Sequence, residues 1–191
     1  DHPAGGAIIA EELAEFAALI ASRYGDRVDE WCTLNEPVNY LIASYGAAVF
    51  PPGKNFLLTD IDRLIGVFRN YIAAHVAMTT AIRANDTVDA DGDGRPTDIG
   101  FSLSIVDWVP ARGNLPSDEA DDIAAAERIR YVYHHLIVDA LRDGSFDTDL
   151  DGEGDEAQPT WLGTIDWLGI QYYFRAGVTS DPAIIPLVDA M

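Results

Sequence analysis

Apolar positions recur at helical spacing over residues 7–24, where Ile9, Leu13, Phe16, Ala17, Ile20 and Tyr24 share one face. Gly25 supplies a stop. The pattern from Val28 to Asn35 then reads as a strand, followed by a loop rich in Gly and Pro that includes Pro51-Pro52-Gly53. Residues 61–83 predict a second amphipathic helix, with Leu64, Val67, Phe68, Tyr71, Ile72, His75, Thr79 and Ile82 along its apolar stripe. A histidine on such a stripe is expected in the core. Ile99 to Val106 alternates apolar and small residues, as a strand does. Ser117 is expected to cap a third helix running through Arg142, with Asp118 and Glu119 in its first turn and Gly144 past its end. Asp166 to Phe174 predicts a last strand. Helices and strands therefore alternate, which argues for parallel β-structure with helical crossovers. The alternation alone fits both a doubly wound sheet and a barrel. No Gly-rich phosphate fingerprint follows any strand, which weakens a nucleotide-binding reading, and no internal repeat is visible.

Composition narrows the partners. With 32 acidic and 12 basic side chains the net charge is −20, which disfavours nucleic acid because phosphates are repelled. A solvated acidic surface, bound Ca²⁺ and adaptation to high salt all fit that charge. No apolar run approaches the roughly 18 residues of a membrane span, and Asp1-His2-Pro3 shows neither the basic nor the apolar region of a signal peptide. The single cysteine, Cys32, rules out an internal disulfide and is expected as a buried structural thiol within an apolar strand. The length of 191 residues allows one sizeable core but is short of a complete (β/α)8 barrel, which needs roughly 200 to more than 400 residues.

Candidate chemistry lies in Trp31-Cys32-Thr33-Leu34-Asn35-Glu36-Pro37, a strand ending in an amide, a carboxylate and a proline. Barrel enzymes carry their reactive groups at the C-terminal ends of strands. Pro37 is expected to bias Glu36 toward an extended backbone. Taken alone, Asn-Glu-Pro is a weak tripeptide that a loop carboxylate would also satisfy. A wider set of segments, however, resembles glycoside hydrolase family 1, the retaining β-glycosidases. Gly5-Gly6 resembles the pair opening the helix before the motif. Ser22 to Val28 leads into the motif as the family's Y-x-x-x-F-G-D-R-V does, Pro52-Gly53 follows it, and Ala73-Ala74-His75 matches a recurring helix segment. Asp166 to Tyr173 resembles the family's D-F-L-G-I-N-Y-Y.

That resemblance covers roughly residues 1–180 and implies a partial (β/α)8 TIM barrel of the α/β class, approximately strands four to six with their helices, in a single incomplete domain over 1–191. It implies Glu36 as catalytic acid/base, Asn35 as a contact to the sugar 2-hydroxyl, and Tyr173 as the tyrosine beside the nucleophile. Gln171, where the family has Asn, is implied as a further substrate-binding residue. A retaining glycosidase needs two carboxylates, one delivering a proton and one attacking the anomeric carbon. Nothing in 174–191 resembles the family's nucleophile segment, so the chain reads as an internal piece, inactive alone, whose partners are a β-linked glycoside and the missing barrel strands. No organic cofactor is required by this chemistry. The competing reading is a non-catalytic carbohydrate- or calcium-binding protein on a degenerate barrel.

Two acidic stretches near 86–98 and 147–158 read as loop insertions. Asp89, Asp91 and Asp93 stand at positions 1, 3 and 5 of a calcium-type loop with Gly94 at position 6, and Asp147, Asp149 and Asp151 repeat the pattern with Gly152. The bidentate Glu of position 12 is missing from both. A structural Ca²⁺ and a merely solvated acidic loop are both compatible with this spacing.

Overall fold

The computed structural model describes residues 4–181 and the backbone of 188–189. Helix α1 (Gly5–Tyr24) leads to strand β1 (Glu30–Asn35), a short helix α2 (Pro37–Leu41), a π-helical turn over Ile42–Gly46, the single turn α3 (Phe56–Thr59) and the long helix α4 (Ile61–Asn85). Strand β2 (Asp98–Arg112) follows, with a small antiparallel partner β3 (Leu115–Pro116). Then come α5 (Ala120–Arg130), a π-helical turn over Tyr131–His135, α6 (Leu136–Asp143), the hairpin strands β4 (Ser145–Phe146) and β5 (Glu156–Ala157), and strand β6 (Trp167–Val178). The short β7 (Val188–Asp189) pairs antiparallel with the end of β6. The main sheet runs β1-β2-β6-β7, and both β1–β2 and β2–β6 are parallel. The predicted alternation is thus present, with β1 beginning two residues later than the apolar pattern marks, and β6 and β2 running four and six residues further.

Parity along the strands separates two faces. Ile99, Phe101 and Leu103 of β2 are buried against α4 and α6 in a core that includes Leu64, Phe68, Ile72, Leu136 and Leu141. Ser102 and Ser104 alternate with them and point to the other face. Gly100 has no room for a side chain, because a Cβ there would meet the Trp167 backbone oxygen and indole. His75 is fully buried, as its position on the apolar stripe predicts. One ring nitrogen lies 2.7 Å from the Thr33 hydroxyl and the other 2.9 Å from the Thr164 carbonyl. The register places Leu168, Ile170 and Tyr172 of β6 beside Phe101, Leu103 and Ile105, on the helix-covered face. Among the described residues no helix covers that part of β6, and Ile170 and Tyr172 remain 61% and 62% exposed.

Several expectations need correction. Ile9, Phe16 and Tyr24 of α1 are exposed, while Ala17 and Ala21 are the buried residues of this helix. Its small residues allow close packing on α4, so the larger ones are left outside. The third helix is not continuous from Ser117. Residue Glu119 is extended (ψ 131°), helix begins at Ala120, and a π turn divides it. Ser117 accepts from the Glu119 N–H and donates to Asp122 Oδ2 at 2.6 Å, so its hydroxyl ties down a buried carboxylate instead of capping the helix. The Arg112 guanidinium, with Ser117 and the Ser180 N–H, holds the Asp122 carboxyl well below the usual range. Gly144 does stand past the helix end, at φ 63°. Cys32 is exposed, not buried. It shares the register position of Gly100 and so lies on the sheet face opposite the helices.

Candidate active site

Asn35 ends β1, and the chain must turn at once into α2, whose first residue is Pro37. Glu36 makes that turn in the left-handed region, at φ 47° and ψ 55°, where Pro37 was expected to favour an extended backbone. A non-glycine residue in that region costs about 1–3 kcal/mol and needs support from its surroundings. Here the Glu36 N–H donates to the Ser102 carbonyl at 2.8 Å, which anchors the turn on β2. The turn carries the carboxylate across the sheet toward β6. Its Oε1 contacts the Tyr173 hydroxyl, and its Oε2 accepts from Asn39 Nδ2 at 2.9 Å.

Asn35 lies on the same network. Its Oδ1 accepts from Ser102 Oγ at 2.9 Å and from Gln171 Nε2 at 2.7 Å. Gln171 Nε2 also donates to Ser102 Oγ at 2.8 Å, and Gln171 Oε1 lies 3.0 Å from the Tyr173 hydroxyl. The Tyr173 hydroxyl carries one hydrogen, so it serves Glu36 or Gln171 but not both at once. The contact with Glu36, above all, pushes the Tyr173 phenol up, with burial, the Glu36 charge and Tyr133 adding to it. Tyr133, raised chiefly by burial, also faces the Glu36 charge.

Asn35, Glu36, Gln171 and Tyr173, separated by more than 130 positions in sequence, therefore meet at one place. Sequence reading missed Asn39, Ser102 and Tyr133. Asn39 was within reach as the i+3 neighbour of Glu36 on a helix, and Ser102 as the small polar residue between two apolar strand positions. Tyr133 carried no such signal, because its placement depends on the π turn. Among the described residues, Glu36 is the one carboxylate in this network.

The acidic loops lie elsewhere, between α4 and β2 and between α6 and β6. In the first, ligand-type oxygens of Asp89 and Asp91 come together with Asp29, not with Asp93. Asp93 accepts from the Arg95 N–H at 2.8 Å, while Asp29 accepts from the Ala90 and Asp91 N–H groups. Asp29 was missed because it precedes β1, 60 residues before the loop it faces. In the second, Asp147, Asp149 and Asp151 do converge. Burial works to raise Asp147, yet the Tyr131 hydroxyl and the Gly152, Leu150 and Asp149 N–H groups hold it low. Burial, followed by the charge of Asp151, pushes Asp149 up.

Helices on one face of a parallel sheet, with polar side chains gathered on the other at the end of β1, are the layout of an α/β barrel whose wall is incomplete here. The family model for glycosyl hydrolase family 1 matches residues 6–185, and the chain belongs to that family. It is 32% identical over 182 residues to a β-galactosidase of Pyrococcus woesei, with 93% of this chain and 34% of that protein covered. It is 27% identical over 187 residues to a β-glucosidase of Arabidopsis thaliana, covering 88% of this chain and 34% of the relative. The solved family 1 β-glucosidase of Thermotoga maritima superimposes with a TM-score of 0.73 at 22% identity, over 96% of this chain and 39% of that one. The chain thus spans about a third of the length of the curated relatives it matches.

Proposed function

We propose that this chain forms the acid/base side of a retaining β-glycosidase, acting on a β-linked glycoside by double displacement. Glu36, held at the strand end by Asn39 and Tyr173, carries the reading. In the first step Glu36 gives its proton to the leaving oxygen while a second carboxylate attacks the anomeric carbon. In the second step Glu36 takes a proton from water as that water displaces the sugar. Asn35 contacts a sugar hydroxyl, and Gln171 and Tyr173 complete the polar wall. The attacking carboxylate comes from barrel strands outside this chain, and a helix outside it covers the exposed outer face of β6. The 191-residue chain alone is expected to release no phenol from an aryl β-glucoside, and a protein completing the barrel around it to do so. Turnover by the isolated, monomeric chain would refute the division of labour.

We further propose that Asp29, Asp89 and Asp91, and separately Asp147, Asp149 and Asp151, hold structural Ca²⁺ away from the reaction. Ca²⁺ prefers six to eight oxygen ligands, and three clustered carboxylates supply the charge such a site needs. Millimolar Ca²⁺ is expected to raise the melting temperature relative to EDTA, with a smaller rise in Asp147→Asn. An unchanged melting temperature together with no heat in calorimetry would remove these sites.

A further inference from the structure

We propose that Gln171 is a positioning residue that fixes which end of the Asn35 amide faces the open site. The inference rests on reading Asn35 as a substrate contact and deepens it. Both ends of the Gln171 amide meet protein groups. Its Nε2 donates to Asn35 Oδ1 and to Ser102 Oγ, at 2.7 and 2.8 Å, and its Oε1 faces the Tyr173 hydroxyl at 3.0 Å. An amide has two N–H donors and one carbonyl, so each end of Gln171 is engaged inside the protein.

Proton counting gives the arrangement a direction. The Tyr173 O–H is flanked by two acceptors, Glu36 Oε1 and Gln171 Oε1. The Gln171 N–H groups donate to Asn35 and Ser102, and the Ser102 O–H also donates to Asn35 Oδ1. The donors of Gln171 and Ser102 thus converge on one atom, Asn35 Oδ1. Asn35 Oδ1 is thereby occupied by two donors, and among the described residues nothing accepts from its Nδ2. Asn35 is itself exposed, so it presents two N–H donors beside Glu36. That end recognises a lone pair, such as the oxygen of a sugar hydroxyl, and not a donor. Ser102 takes part as the second group that holds the Asn35 carbonyl inward.

The orientation is readable without substrate. In the ¹⁵N-labelled 191-residue chain both Asn35 side-chain N–H protons should exchange with water at the rate of a free amide. In Gln171→Glu the introduced carboxylate accepts hydrogen bonds and donates none, so Asn35 should turn its NH₂ inward. One of its protons should then exchange about tenfold or more slowly, the factor expected for a hydrogen bond to a charged group. Gln171→Leu, which offers no acceptor, should leave both protons fast. A slowed Asn35 proton in the unmodified chain would overturn the proposal, as would equal exchange in the unmodified chain and Gln171→Glu. Backbone amide spectra report whether each variant folds, and the unmodified chain alone decides the orientation if a variant does not. Failure of the glycosidase reading would appear as inactivity of the completed barrel and would leave these exchange rates unchanged.

Discussion

Replacing Glu36 by Gln in a barrel completed around this chain is expected to lower kcat for a simple β-glucoside by about 10²–10⁴-fold, the usual worth of a positioned general acid or base. Glutamine keeps the length of the side chain and can still meet Asn39 and Tyr173, so the substitution removes the transferable proton with little else disturbed. The size of the loss should depend on the leaving group. A poorly acidic alcohol needs the proton and should show the whole effect in the first step. A strongly acidic phenol leaves as the anion, so its first step should hardly slow, while the second step, which needs a base to activate water, should. Steady-state kinetics across a series of aryl glucosides measures this directly. A loss of equal size for every leaving group, with no glycosyl-enzyme accumulating, would place the acid/base elsewhere.

Stability is expected to fall by about 3 kcal/mol between pH 6.5 and 4 on account of His75 alone. Burial, aided by the charge of Arg83 and opposed by the Thr164 carbonyl, lowers this imidazole from 6.5 to about 4. The folded state therefore resists a proton that the unfolded chain accepts. The sign follows: the contribution is complete above pH 6.5, where both states are neutral, and is lost progressively as pH drops toward 4. A difference of 2.5 units between 6.5 and about 4 corresponds to about 3 kcal/mol. One ring nitrogen meets the Thr33 hydroxyl and the other the Thr164 carbonyl, with Phe101 edge-on at 5.4 Å. Asp122 and Asp147, whose carboxyls are held low, lose their contributions only at more acidic pH, below the ordinary carboxylate range. Urea unfolding midpoints at pH 7, 5.5 and 4 should show the His75 slope, and His75→Gln should flatten it while lowering stability at pH 7. An identical slope in the variant would show that His75 does not set the acid sensitivity.

The strand and helix order was legible because period-two and period-3.6 patterns record burial on one side of an element, and α4 shows this most clearly. Where burial did not follow size the reading failed. In α1 the buried contacts are Ala17 and Ala21, and the bulky Phe16 points away, because close helix packing selects small residues. Cys32 was misplaced for a related reason: an apolar neighbourhood in sequence does not say which sheet face a strand residue occupies.

The candidate site divides along the same line. By itself the sequence determined the Asn35-Glu36-Pro37 turn, the strand bearing Gln171 and Tyr173, and membership of the family, since these are local residue strings at recognisable spacing. It also marked both acidic loops by their internal periodicity. Only the tertiary structure decided that Glu36 turns through a left-handed backbone toward β6, that Asn39 and Ser102 join it, and that Asp29 takes the place expected of Asp93. Each of those outcomes is set by strand register and by backbone dihedrals at a turn. These are fixed by packing between elements far apart in the chain, and no short window of residues encodes them.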